Sequence, residues 1–199
     1  MRTLDELKAT LGDDTKDMRL NLGNVLDNGD LEPAERWAVA LASAYFLRAG
    51  ELVEAIATAG AAHLTTAAIA DAKAAAAIMG MKTVYYRFRH MIGKPSYSQR
   101  QAGLRMARMG KPATTKALFE LASMACAALA GCEMCIKAHE QSLLNEGYSE
   151  DRVHQAVRIA AVVNGFLIAT AAEAPATVAC NARPAEARRC SQRGCSRSQ

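Results

Sequence analysis

Residues 119–140 read FELASMACAALAGCEMCIKAHE. An apolar, alanine-rich run meets a glycine, and a more polar run without proline follows. Alanine and leucine are strong helix formers. Gly131 can end the first helix, because glycine takes the left-handed conformation at little cost. The stretch predicts two helices, about Thr114 to Leu129 and Cys132 to Asn145, hinged at a tight turn. On the second helix Cys132, Cys135 and His139 are spaced i, i+3 and i+7 and share one face. Cys132 falls at or next to the helix N-terminus, where unpaired N–H groups and the helix dipole favour a thiolate. Along a continuous helix Glu120 would lie ~18 Å from Cys132. If the chain folds back at Gly131, Glu120 and His139 lie level with each other, each roughly 10–14 Å from the turn.

That arrangement suits dithiol chemistry. Two cysteines three apart can close a disulfide across the first helical turn. The attacking species is the thiolate, and a free cysteine with a pKa of ~8.5 is only a few per cent ionised at neutral pH. Every exchange also needs a proton at the leaving group. The candidate catalytic residues are therefore Glu120, Cys132, Cys135 and His139: a redox-active Cys132–Cys135 pair, with Glu120 orienting or protonating His139, and His139 exchanging protons with either cysteine. No bound cofactor or metal is expected. Geometry favours Cys132 as the exposed attacking sulfur and Cys135 as its resolver, although the relay can equally serve Cys135 first. Two other readings stand beside this one. Cys132, Cys135 and His139, with Glu140 or water as a fourth ligand, could hold zinc in a non-catalytic binding module. A cofactor-free lyase acting on a small acid would need no thiol. Cys126, on the preceding apolar helix, is expected to be core packing. His63 and His154 fall at helix edges, and His90 in Arg87-Phe88-Arg89-His90 belongs to a basic, solvated cluster.

Outward from this stretch the chain reads as all-α, without any alternation long enough for a strand. Helices are expected over Leu4–Leu11, from Asp14-Thr15-Lys16-Asp17 to about Asn28, and from Leu31-Glu32-Pro33 through Trp37 and Tyr45 to about Arg48. Further helices cover Leu52–Ala59, about Leu64–Met79, Met81–Met91, Gln99–Met109 and Ser149–Asn164, the last continuing as a further segment to Glu173. The chain also repeats. At an offset of 80, Ala40-Leu41-Ala42-Ser43 matches Glu120-Leu121-Ala122-Ser123, and at 85 Ile78-Met79-Gly80-Met81 matches Val163-Asn164-Gly165-Phe166. Two helical units, about 31–93 and 112–174, would then pack as one domain over 1–175. Only the second carries the cysteines, and the first has Ala40 in place of Glu120.

Charge separates the body from the tail. Of 24 basic and 20 acidic residues, five arginines and one glutamate lie from Ala176 onward, leaving 19 of each in residues 1–175. A neutral body gives no reason to expect nucleic-acid binding. The tail 176–199, with Cys180, Cys190 and Cys195 among arginine and serine, has no hydrophobic periodicity and is expected to be disordered. Met1-Arg2-Thr3-Leu4-Asp5-Glu6 holds no apolar signal core, and no run of 18 apolar residues is free of charge. The expectation is no membrane span and a cytoplasmic location, where a Cys-x-x-Cys is catalytic or metal-binding more often than a structural staple.

Several segments together resemble one family. They include Lys16-Asp17 with Leu20-Asn21-Leu22, Ala76-Ala77-Ile78-Met79-Gly80-Met81, Tyr86-Arg87, Gly103-Leu104-Arg105-Met106, Phe119-Glu120-Leu121, and Gly131-Cys132 through Cys135 to Ala138-His139-Glu140. Over nearly all of residues 1–175 the chain is similar to the alkyl hydroperoxidase D (AhpD) proteins of the carboxymuconolactone-decarboxylase-like superfamily. The resemblance implies an all-helical fold with an internal repeat, assembled as a homotrimer, and an antioxidant thiol-dependent peroxidase. It also implies that dihydrolipoamide, carried on a lipoylated acyltransferase of a 2-oxoacid dehydrogenase complex and regenerated by dihydrolipoamide dehydrogenase, reduces the disulfide. The dithiol then reduces hydroperoxides or an AhpC-type peroxiredoxin. The family's glutamate, two cysteines and histidine fall on Glu120, Cys132, Cys135 and His139. The family motif often carries a histidine just before the second cysteine. Here Met134 stands there, which implies slower turnover.

Overall fold

The computed structural model describes residues 1–174; the basic tail, for which disorder is expected, lies outside them. The elements are α1 (Leu4–Ala9), α2 (Lys16–Asp27), α3 (Pro33–Phe46), α4 (Gly50–Ala59), α5 (Thr66–Ile92), α6 (Pro95–Ser98), α7 (Ala107–Gly110), α8 (Lys116–Leu129), α9 (Glu133–Asn145) and α10 (Glu150–Glu173). Among the described residues there is no strand, so the fold is all-α.

Each long helix starts where its sequence supplies a cap. Pro33 fills the first turn of α3, and Glu32 and Glu35 form a reciprocal capping box. Thr65, Thr115 and Ser149 each accept the backbone N–H three residues on, opening α5, α8 and α10. α3, α5, α8 and α10 pack against one another as the central bundle, with α2 on α10 and α3, and α9 on α8 and α5. At its centre Ala38 to Ala44 on α3 and Leu121 to Ala127 on α8 are buried without a break. Small alanine and serine side chains let these helices approach closely, while Leu41, Leu121, Phe119 and Phe166 fill the remaining volume. Burying each such large side chain contributes about 1.5–3 kcal/mol.

Several helices differ from the sequence expectation. The helices expected as Leu64–Met79 and Met81–Met91 are one 27-residue helix, α5. Glycine inside a helix costs only about 1 kcal/mol against alanine, and Ala72, Ala75, Ala76, Met79 and Thr83 carry one buried stripe past Gly80. Likewise α10 runs unbroken through Gly165, where a Cβ would come within 2.8 Å of Met18 Sδ; that glycine makes room for α2. The helix expected over Gln99–Met109 is absent apart from the single turn of α7. Gly103 sits at φ +64 there, and Gln99–Arg105 bury nothing that would hold a helix on the bundle. A short turn at Pro95–Ser98 forms instead.

The repeat is present with a different register. α3 and α8 start at Pro33 and Lys116, and α4 and α9 at Gly50 and Glu133, both 83 apart; α5 and α10 start 84 apart, at Thr66 and Glu150. The turn agrees: Arg48 and Gly131 take φ of 59 and 62, and the N–H groups of Ala49 and Cys132 bond back to Ala44 and Ala127. Trp37, rather than Ala40, therefore stands where Glu120 does. A slip of three residues keeps a helix on nearly the same face, so an alanine-rich pattern matches itself at either register.

α10 is long and apolar enough to cross a membrane, with a mean hydropathy of 1.5 in its most apolar window. Here it is a bundle helix: Val153, Ala156, Ile159, Val163 and Phe166 are buried against its neighbours.

Candidate active site

Gly131 makes the turn that builds the site. Its φ of +62 is the left-handed conformation, and Cys132 follows as the N-cap of α9. A disulfide joins Cys132 to Cys135, with Cα atoms 5.3 Å apart. Cys132 is not the exposed sulfur that the sequence suggests: Cys132 and Cys135 are 1% and 2% exposed. The cause is the turn, which bonds the Cys132 N–H to the Ala127 carbonyl at 3.2 Å and lays both sulfurs on the face of α9 that docks on α8. Glu133 and Met134 take the outward positions between them, and Met134 is 44% exposed. Exposure does not rank the two sulfurs.

One turn beyond Cys135, His139 is buried. Its Nδ1 lies 2.5 Å from Glu120 Oε2, and Glu120 is itself buried on α8. The fold-back at Gly131 thus brings Glu120 and His139 into direct contact. A carboxylate taken out of water needs such a partner. A third residue joins them: Lys82 Nζ of α5 lies 3.3 Å from His139 Nε2. Lys82 is half-buried. Burial pushes its ammonium below the usual lysine value, and the nearby Glu120 charge opposes that shift. Sequence reasoning missed Lys82. The signal was its place three residues after Met79 and seven after Ala75, a charge on the flank of a buried stripe.

The rim is polar. Glu133 bonds Lys137 Nζ at 2.6 Å and lies 3.7 Å from His90 Nε2. The Lys137 hydrogen bond and the charges of Lys137 and His90 lower its carboxyl pKa. His90 is exposed, as its basic cluster suggests. A cleft of about 360 Å³, lined by Tyr86, Arg89, His90, Gly93, Ser98 and Met134, reaches one of the two residues between the cysteines. Cys126 is fully buried, 3.8 Å from the Ala42 carbonyl, and burial pushes its thiol far up. His63 stacks at 6.3 Å on Trp37, and His154 is exposed near the start of α10. Among the described residues no three His, Cys, Asp or Glu side chains converge as a metal-holding group, and both His139 ring nitrogens face other partners.

Comparison with known proteins extends the pattern. The profile of the Carboxymuconolactone decarboxylase family matches residues 95–177. The chain is 50% identical over 169 residues to an alkyl hydroperoxide reductase AhpD of Anaeromyxobacter dehalogenans strain 2CP-C, covering 85% of this chain and 91% of that protein. It is 44% identical to the AhpD of Rhodospirillum centenum over 172 residues, 86% of this chain and 92% of the relative. With that of Streptomyces avermitilis it shares 42% identity over 176 residues, 88% and 98% of the two chains.

Proposed function

The chain belongs to the alkyl hydroperoxide reductase AhpD family, and on that premise we propose that it is a thiol-dependent peroxidase and disulfide reductase working through Cys132 and Cys135. The observation that carries this reading is the buried Glu120–His139 pair, one helical turn behind a disulfide at a helix N-terminus.

In the oxidative half, one thiolate attacks a hydroperoxide oxygen and the O–O bond breaks. The alkoxide takes a proton and leaves as alcohol, and the sulfur becomes a sulfenic acid. The second cysteine displaces its hydroxyl, which leaves with a proton as water, and the disulfide forms. Two electrons and two thiol protons pass from the dithiol to the peroxide. In the reductive half, dihydrolipoamide on a lipoylated acyltransferase attacks the disulfide through a mixed disulfide and leaves as lipoamide, restoring two thiols. Dihydrolipoamide dehydrogenase regenerates the donor from NADH. The same exchange passes electrons to the disulfide of an AhpC-type peroxiredoxin. Glu120 holds His139 ready to give and take the protons these steps require. The proposed setting is a cytoplasmic homotrimer.

The test is NADH oxidation with dihydrolipoamide dehydrogenase, lipoamide and a hydroperoxide, on the wild type and on Cys132→Ser. Lipoamide-dependent oxidation that disappears in the variant supports the reading. No turnover by the wild type, with both thiols titrating as free after reduction, overturns it. Turnover of a small-acid substrate that survives loss of both cysteines would point to the lyase chemistry of the wider superfamily. Cys135→Ser trapped as a mixed disulfide would make Cys132 the attacking sulfur, and trapping only in Cys132→Ser would reverse the order.

A further inference from the structure

Both nitrogens of His139 are engaged. Nδ1 faces the Glu120 carboxylate at 2.5 Å and Nε2 faces the Lys82 ammonium at 3.3 Å. Glu120 can only accept, and a charged Lys82 can only donate, so the two neighbours together select the ring that carries its proton on Nδ1 and offers Nε2 as acceptor. Resting on the reading above, we propose that Lys82 is a positioning residue for the dithiol: it fixes this tautomer of His139 and its charge cancels that of Glu120, so that a thiolate can form at Cys132 or Cys135 without facing an uncompensated buried anion.

With His139 in this neutral tautomer and Glu120 ionised, the charges balance only if Lys82 is counted. A buried carboxylate beside a neutral imidazole leaves one net negative charge under the disulfide, and a second anion nearby is disfavoured. With the ammonium the trio is neutral. A proton moving from Lys82 Nζ to His139 Nε2 gives amine and imidazolium and leaves it neutral, and the lowered lysine value makes that move easier. Other charges on the packed helices have partners of their own: on α5, Arg87 bonds the Ala130 carbonyl at 2.7 Å, two residues before Cys132, and on α10 Arg152 binds Glu35. On α8, Lys116 bonds Glu146 at 2.8 Å. On α9, Glu133 is held by Lys137. On α3, Glu35 binds Tyr148 and Arg152, Arg36 binds the Leu26, Asp27 and Leu31 carbonyls, and Tyr45 lies under Lys73.

The repeat sharpens this placement. With α5 and α10 starting 84 residues apart, the counterpart of Lys82 is Phe166, which is fully buried and lines a cleft with Ala49 and Leu52 at the start of α4. Each long helix thus sends one residue toward the short helix of the opposite unit. Where that helix is apolar the residue is phenylalanine, and where it carries the dithiol the residue is lysine.

The test is the pH profile of iodoacetamide alkylation of the reduced full-length protein. Peptide mass spectrometry resolves the labelling, so that Cys126 and the three tail cysteines do not contribute. Lys82→Met is expected to raise the apparent pKa of the reactive thiol by about one unit, making alkylation near neutral pH about tenfold slower. Lys82→Arg, which keeps the charge, is expected to stay within about threefold of wild type. An unchanged profile in Lys82→Met with native far-UV circular dichroism overturns the proposal, as does an equal shift in Lys82→Arg. If Lys82→Met does not fold, Lys82→Ala with and without added methylammonium takes its place. Recovery of the wild-type profile by the amine supports the role, and its failure in a folded protein removes it. The readout needs neither peroxide nor lipoamide. A protein without peroxidase activity can still show the Lys82 shift, and a peroxidase whose thiols ignore Lys82 loses only this inference.

Discussion

Two three-helix units of one chain, α3–α4–α5 and α8–α9–α10, build the same frame and fill it differently. Where the second unit has Glu120, Cys132, Cys135 and His139, the first has Trp37, Ala49, Leu52 and Ile56 at an offset of 83. Ala49, Leu52 and Ile56 are buried, and Trp37 is half-buried. The first set is a hydrophobic contact that asks for nothing further. The second places a carboxylate and an imidazole out of water, and these persist because each is partnered. The frame therefore does not depend on what fills it, and the second unit keeps buried polar groups where they close on one another.

The sharpest way to break the comparison is to give the second unit the first unit's residues. Cys132→Ala with Cys135→Leu is expected to abolish hydroperoxide turnover while leaving the helical fold, because the first unit shows that alanine and leucine fit those places. Peroxidase activity and the thermal melt check both halves of this. A milder break is Glu120→Gln, which keeps an acceptor near Nδ1 but removes the charge. General acid–base assistance is typically worth 10²–10⁴-fold, and the expected loss of kcat is about a hundredfold with the thiols still able to form the disulfide. A kcat within a factor of about three of wild type would detach Glu120 from the proton path.

How much of this was legible follows from where each signal lies. The cysteines, His139 and the Gly131 turn sit within nine residues of one another, and local spacing on a helix is what a sequence displays best. Glu120 needed only the fold-back. Lys82 is 57 residues from His139, and nothing near it in the chain announces the meeting. The burial of both sulfurs depends on how α9 docks on α8, a packing result that helical spacing does not contain. The all-α class and most helix starts were readable from caps and periodicity. The breaks expected at Gly80 and near Gly165 were not real, because burial on one continuous face outweighs the modest cost of one glycine.

The two long helices carry a second matched pair. Asp71 on α5 and Gln155 on α10 stand 84 apart, both buried, and each clamps the backbone that leads into the other unit. Asp71 accepts from the N–H groups of Ala113 and Thr114 at 3.0 and 2.7 Å, from the Thr114 hydroxyl at 2.7 Å and from Arg108 Nε at 2.8 Å. Gln155 accepts from the Leu31 N–H at 2.6 Å and donates to the Asn28 carbonyl at 2.8 Å. Burial alone would raise the Asp71 carboxyl, but the hydrogen bonds outweigh it and hold its pKa below the usual value. The sign follows. A carboxyl depressed in the folded state contributes stability above its unfolded pKa of ~3.9, and loses it as pH falls through the lower folded value. Asp71→Asn is expected to cost about 2 kcal/mol at pH 7 and to flatten the loss of stability in acid. Gln155→Ala is expected to cost about as much with no new pH dependence. Urea unfolding at pH 7 and below pH 4 separates the charged clamp from the neutral one; equal acid sensitivity in wild type and Asp71→Asn would remove the distinction.

The smallest difference between the units is at the turn. Arg48 and Gly131 share one left-handed conformation, which costs an ordinary residue roughly 1–2 kcal/mol and glycine little. A Cβ on Gly131 would meet nothing within 4 Å, so the backbone and not crowding sets the penalty. Gly131→Ala is expected to lower stability by about 1 kcal/mol. In Arg48→Gly the relieved strain is partly offset by the greater freedom of glycine in the unfolded chain, leaving a gain of about 0.5 kcal/mol. Shifts in the denaturant midpoint at constant slope measure both. Because Arg48 shows that a side chain fits this turn, Gly131→Ala should keep at least about half of the wild-type activity once folded. A much larger loss would mean that the glycine is there for the approach of a partner to the disulfide, and that the two turns are alike in backbone only.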